Sequence, residues 1–158
     1  MALRLTSTAF SEGEPIPIKH TGEGQDITPP LAWSGAPEAT RCFVLIVDDP
    51  DAPDPRAPRL TWVHWVVYNL APGTTGLPEG AATEGLPQQA QQGLNDWKRA
   101  AYGGPCPPIG RHRYFHKLYA LDTVLGGPPR MTKADVEAAM HGHVLAEAVL
   151  IGTYEATD

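Results

Sequence analysis

The sequence predicts a mostly β protein in which two antiparallel sheets pack as a sandwich with one or two short peripheral helices. Three observations carry this. Pro and Gly are abundant, 17 and 16 of 158 residues, and strands joined by rigid loops accommodate proline better than a helix bundle does. Three runs, 41–49, 60–70 and 112–122, are rich in β-branched, aromatic or alternating residues. Only one segment carries convincing helix signals. The length and the absence of an internal repeat imply a single domain over 1–158.

The elements follow in chain order. "LRLTSTAF" (3–10) alternates loosely through Leu3, Leu5 and Phe10 and reads as a strand. "HTGEGQDITPPLAWSGAP" (20–37) is turn-rich. "RCFVLIVDD" (41–49) is a near-continuous apolar run, as expected of a strand buried on both faces. "LTWVHWVVYNL" (60–70) is a second such strand. Residues 71–101 show no periodicity, and a loop of that length in a compact domain points to function or to order imposed by packing. "HRYFHKLYALD" (112–122) alternates. It puts His112, Tyr114, His116 and Leu118 on one face and Arg113, Phe115, Lys117 and Tyr119 on the other. "TKADVEAAMHGHV" is the helix, with Thr132 as N-cap, Asp135 in the capping-box position and Gly142 as the stop. Strand character returns from about Ala148.

Composition excludes several classes. The formal charge is −6 and no cluster of five Lys/Arg occurs, which argues against nucleic-acid binding. No apolar run reaches the roughly 18 residues of a membrane span, and "MALRLTSTAF" has no signal-peptide core. The cysteines, Cys42 and Cys106, fit no metal spacing, and a reducing cytoplasm is the expected location.

The chemistry-bearing stretch is "DDPDAPDPRAP" (48–58), with four aspartates in seven residues. As a calcium loop starting at Asp49 it fails. The fifth position is Pro53, the sixth is Asp54 rather than Gly, and the twelfth is Leu60 rather than Glu. A solvated acidic turn is the plain alternative, with Asp48, Asp54 and the later prolines as loop scaffolding. His64 sits in an apolar strand between Val63 and Trp65, where a core histidine is the simpler reading. A two-His-one-carboxylate iron site finds no close His-x-Asp/Glu spacing to support it. "YGGPCPPIG" (102–110) holds three prolines and three glycines. The amides of Gly104 and Cys106 remain as fixed donors, which suits an anion-binding concavity. Cys106 as a nucleophile lacks a base adjacent in sequence.

"DDPDAP", "WVHW" in a strand, "GGPCPP" and "HRYFHKLYALD", in this order and spacing, resemble the phosphatidylethanolamine-binding protein family. The flanking "DITPPLAWSGAP" and "GHVLAEAVLIGTYE" are similar to its bacterial and archaeal, Raf-kinase-inhibitor-like branch. The resemblance covers nearly the whole chain. It implies a large central antiparallel sheet against a smaller one, and a preformed pocket for phosphate-like anions and phospholipid head groups. Carried across, the pocket residues are Asp49, Asp51, Trp62, His64, Tyr102, Gly104, Cys106, Pro108, His112 and Tyr114. The resemblance also implies non-trans peptide bonds, with candidates at Ala52–Pro53 and Leu60–Thr61, and it allows a homodimer. Eukaryotic members differ in having two consecutive histidines where this chain has Val63 and His64, and a longer loop before His112.

The expected function is therefore binding of a phosphate-bearing small molecule or lipid head group, without cofactor, metal or integral membrane association. His64 and His112 are expected to donate to the anion, aided by the Cys106 amide and the Tyr114 hydroxyl, with Asp49 either bracing a histidine, or accepting the proton of a monoanionic phosphate, or facing the ammonium of an ethanolamine head group. A hydrolase or lyase using Asp49, His64 and His112 as acid and base is the enzymatic alternative. A kinase- or protease-inhibitor-like interaction protein is a third.

Overall fold

A computed structural model of the chain describes residues 2–87 and 89–156. Eight strands and two α-helices follow in the order β1 (Arg4–Thr6), β2 (Leu31–Ser34), β3 (Cys42–Ala52), β4 (Leu60–Leu70), β5 (Gly76–Leu77), α1 (Ala81–Glu84), β6 (Gln91–Gln92), β7 (Arg111–Leu121), α2 (Lys133–Met140) and β8 (Val144–Glu155). A single 3₁₀ turn, Ile18–His20, precedes β2. The strands form a three-stranded sheet, β1-β2-β5, and a five-stranded sheet, β6-β4-β3-β7-β8. Every strand pairing is antiparallel.

β3 lies at the centre of the large sheet, which explains its unbroken apolar run. Phe43, Leu45 and Val47 point to the core shared with the small sheet, among Leu5, Leu31, Trp33, Trp65, Val67 and Leu118. Val44 and Ile46 point the other way, into a second core with Val63, Val66, Tyr68, Val136 and Met140 under α2. Both faces are covered, so the period-2 signal vanishes. In β7 it survives: His112, Tyr114, His116, Leu118 and Ala120 are buried, while Arg113, Phe115, Lys117 and Tyr119 are more exposed. α2 has the capping box expected of Thr132 and Asp135, and Gly142 follows at φ +84°.

The structure changes several expectations. β3 runs on to Ala52, beyond the strand end expected at Asp49. β8 begins at Val144 rather than near Ala148, because its first half runs along the sheet edge with both faces largely open and shows no alternation. Residues 71–101, which show no periodicity in the sequence, contain the short elements β5, α1 and β6. Of the two peptide bonds expected to be cis, Ala52–Pro53 is and Leu60–Thr61 is not.

Asp48 is also more than scaffolding. It is buried, and its Oδ2 accepts from Lys117 Nζ at 3.0 Å and Lys133 Nζ at 2.8 Å, tying α2 to the sheet. Asp54 behaves as expected of a turn residue, its side chain accepting from the Arg56 amide.

Candidate functional site

The end of β3 and the beginnings of β4 and β7 meet at one end of the large sheet, and irregular pairing there decides which side chains converge. Opposite Val47 and Asp48 stand Trp65 and Val63, so β4 takes two steps where β3 takes one and His64 is left unpaired. Such a bulge re-aims a side chain. A second irregularity follows: β3 spends three steps from Asp49 to Ala52 while β4 spends two from Trp62 to Leu60. The cis Ala52–Pro53 bond then closes the strand end.

The result is a pocket of about 260 Å³. Asp49, His64, His112 and Tyr114 supply its polar groups, and Leu60, Trp62, Trp97, Pro53, Pro107 and Pro108 supply apolar wall. Among the described residues no Lys or Arg lines it.

Asp49 is the most constrained group. Its Oδ1 accepts from the Asp51 amide at 2.7 Å, and its Oδ2 lies 2.6 Å from His112 Nδ1. Burial raises its pKa, against the lowering effect of the His112 hydrogen bond. His112 Nε2 donates to the Ile109 carbonyl at 2.8 Å, so both ring nitrogens are engaged. His64 Nδ1 donates to the Gly103 carbonyl at 2.6 Å, which fixes its tautomer, because a carbonyl only accepts. Burial pushes its pKa down to about 4. The ring is therefore neutral near pH 7 and its Nε2 carries a lone pair. Tyr114 packs edge-on against His64 at 5.2 Å and stacks near His112 at 6.4 Å. Burial, then the Asp49 charge, raises the pKa of its hydroxyl.

The wall over His64 is Trp97, edge-on to both His64 and Trp62. It is held by a self-braced turn. Asn95 Oδ1 accepts from the Trp97 and Arg99 amides, its Nδ2 donates to the Ala101 carbonyl, and Asp96 brackets Val63 through both its amide and its carboxylate. This is how a stretch without periodicity becomes ordered.

The sequence-derived residues divide into two groups. Asp49, Trp62, His64, Cys106, Pro108, His112 and Tyr114 line the pocket. Asp51, Tyr102 and Gly104 stand behind it. Asp51 accepts from the Arg113 amide, Nε and Nη2, and this pairing lowers its pKa. The Tyr102 hydroxyl donates to the His20 carbonyl, and the Gly104 amide to Asp26 Oδ1, so neither is free for a ligand. Sequence reasoning missed Trp97, Leu60, Ala52, Pro53 and Pro107 as wall residues. A lone tryptophan in the polar stretch "GLNDWKRA" was the one available signal for Trp97.

Among the described residues no group of three or more His, Cys, Asp or Glu is placed to hold a metal ion, and no helix is long and apolar enough to cross a membrane.

The family described as phosphatidylethanolamine-binding protein matches residues 6–155. The chain belongs to the phosphatidylethanolamine-binding protein family. A UPF0098 protein of Methanothermobacter thermautotrophicus is 48% identical over 153 residues, covering 96% of this chain and 98% of its own. Among solved structures, a phosphatidylethanolamine-binding protein homologue from Chlamydia trachomatis superposes with a TM-score of 0.89 at 46% identity, covering 98% of both chains. YbcL of E. coli, described as a new member of the mammalian family, also gives 0.89, at 35% identity, covering 99% of this chain and all of its own. The family's two-sheet, mostly β fold is thus the fold of this chain.

Proposed function

We propose that the chain binds the terminal phosphoryl group of a small phosphate-bearing molecule or lipid head group in the pocket at the end of β3, β4 and β7. One observation carries this reading: Asp49, His64, His112 and Tyr114 converge on one pocket whose remaining wall is apolar. Binding sites for small molecules combine an apolar lining with a few fixed polar groups. The polar end suits a phosphoryl group, and the Trp62–Trp97 wall suits what is attached to it.

Two donors are available. The Tyr114 hydroxyl and the Cys106 amide have no hydrogen-bond partner among the described residues. His112, with both nitrogens engaged, positions Asp49 rather than donating to the ligand. The Asp26–Gly104 and Tyr102–His20 bonds hold the proline-rich loop in place before any ligand arrives, which lowers the entropy lost on binding. Both cysteines are free thiols, as suits a reducing cytoplasm.

The test is titration with O-phosphorylethanolamine and inorganic phosphate, followed by tryptophan fluorescence, since Trp62 and Trp97 report on the wall. Saturable quenching that Tyr114→Phe weakens supports the reading. The absence of saturation by either compound up to tens of millimolar, with Tyr114→Phe behaving as wild type, overturns it.

A further inference from the structure

The hydrogen-bonding capacity around the pocket can be accounted for group by group, and the account points to one charge state of the ligand. Asp49 and His112 form a hydrogen-bonded unit whose remaining capacity, on the carboxyl oxygens, is to accept. Oδ1 is taken by the Asp51 amide, Oδ2 by His112 Nδ1, and His112 Nε2 by the Ile109 carbonyl. Two acceptors flank one ring, so the unit holds two protons on its nitrogens, or one on nitrogen and one on the carboxyl. Its net charge is zero in either case. With no Lys or Arg among the described residues of the lining, the pocket offers a dianion no lysine or arginine counter-charge. Moving a dianion out of water without a counter-charge is strongly unfavourable.

What the pocket does offer is an acceptor. His64 is 4% exposed, its Nδ1–H is committed to Gly103, and no described residue bonds its Nε2. That atom is also not sealed off, in contrast to Nε2 of the buried His20. The groups facing this ring are Asp48 and Asp49 from β3, His112, Tyr114 and His116 from β7, Cys106 from the proline-rich loop, and the Gly103 and Gly104 carbonyls. None of them supplies a proton to Nε2.

We propose that the pocket takes phosphomonoesters in their singly charged form, the P–OH donating to His64 Nε2, and discriminates against phosphodiesters and against the dianion. The remaining phosphoryl oxygens accept from the Tyr114 hydroxyl and the Cys106 amide. The complex holds one proton more than the free protein and a dianionic monoester together. A diester is also singly charged but has no P–OH, so it leaves His64 Nε2 buried and unpaired. An intact diester lipid is then a poor occupant, and a free head-group monoester a good one. This proposal rests on the phosphoryl-binding reading above and adds to it the ester class and the protonation state.

The experiment uses the intact chain and two matched probes, phenyl phosphate and methyl phenyl phosphate, which differ by methylation of one oxygen. Calorimetric titrations run from pH 5 to 8, in pairs of buffers of different ionisation enthalpy. The expected result is monoester affinity that falls about tenfold per pH unit above the ester's second pKa, near 6, with about one proton taken up per ligand at pH 8. The diester should bind about tenfold or more weakly at pH 5. Monoester affinity constant from pH 5 to 8 without proton uptake, or a diester that binds equally well at pH 5, overturns the proposal while leaving phosphoryl binding intact. If phenyl phosphate fails to bind at every pH, the phosphoryl-binding reading itself falls and this proposal with it.

Discussion

Asp49 Oδ2 and His112 Nδ1 lie 2.6 Å apart, joining β3 to β7, and each of the two side chains is held at a second atom as well. The carboxylate is also held by the Asp51 amide, and the ring by the Ile109 carbonyl. Replacing Asp49 by Asn keeps the shape but replaces the carboxyl group that meets His112 Nδ1 with an uncharged amide. Asp49→Asn is expected to lower stability by about 2 kcal/mol in urea unfolding at pH 7 and to weaken phenyl phosphate binding at least tenfold. Unchanged stability would show that the pair is not coupled in the way its geometry implies.

Stability should fall as pH drops from 6.5 toward 4. Burial holds His64 and His116 at about 4 in the folded chain, against about 6.5 when unfolded. Between these values the unfolded chain binds more protons. Stability is therefore fully present above 6.5 and is lost on the way down, at up to about 1.4 kcal/mol per pH unit for each ring. Asp49, raised by burial, pulls the other way at the lower end of the window. His116 donates to backbone carbonyls and packs against Phe10, away from the pocket lining. His20 is lowered by burial as well, so His116→Leu should remove its own share of the slope of stability against pH between 5 and 6.5, by up to about 1.4 kcal/mol per pH unit. An unaltered slope would contradict the assignment.

Asp48 should behave as a structural anchor. Asp48→Ala leaves the ammonium groups of Lys117 and Lys133 facing each other without the carboxylate they share, with Glu137 4.0 Å from Lys133 as a weaker counter-charge. A loss of about 3 kcal/mol is expected in chemical unfolding. The double variant Asp48→Ala/Lys133→Met should recover part of that loss, and a purely additive double variant would rule out the coupling.

Gly103 is required by Trp97. A Cβ at Gly103 would lie 2.3 Å from the indole ring, so Gly103→Ala must push the ring off His64. A loss of about 1–3 kcal/mol is expected. The near-ultraviolet circular dichroism signal of the tryptophans should change, and phenyl phosphate binding should weaken.

The proline-rich loop is tied down by Asp26. Asp26→Ala removes the acceptor of the Gly104 amide, at a cost of roughly 1 kcal/mol. The exposed Cys106 thiol should then react several-fold faster with a disulfide reagent, while the buried Cys42, donating to the Thr123 carbonyl, stays slow. Equal Cys106 rates in variant and wild type would show that this bond does not hold the loop.

Much of the fold was legible because its signals are local. The alternation of β7 and the Thr132–Asp135 capping box each depend on residues a few positions apart. The β3 run was legible for the opposite reason, since burial on both faces leaves no polar positions. The pocket was legible in part. Asp49, His64 and His112 could be assembled through a family resemblance, but the β4 bulge that turns His64 toward them is a matter of strand register. Asp51 carries the same residue type as Asp49 two positions away, and only the presence of Arg113 across the sheet separates a bracing carboxylate from a pocket one. Asp48 could not be read at all, because Lys117 lies 69 residues downstream. The turn holding Trp97 was silent because its order comes from Asn95 and Asp96 side chains bonding backbone rather than from any repeating pattern.

The bonds that frame the pocket join partners far apart along the chain. Tyr102 reaches His20 across 82 residues, Gly104 reaches Asp26 across 78, and Asp49 meets His112 across 63. Closing such spans is entropically slow and takes effect only once the intervening segments are in place. The cavity is thus among the last features to form during synthesis. A nascent chain that has not yet delivered β7 has a partial sheet but no binding site, and occupancy of the pocket reports that β3, β4, the proline-rich loop and β7 have come together.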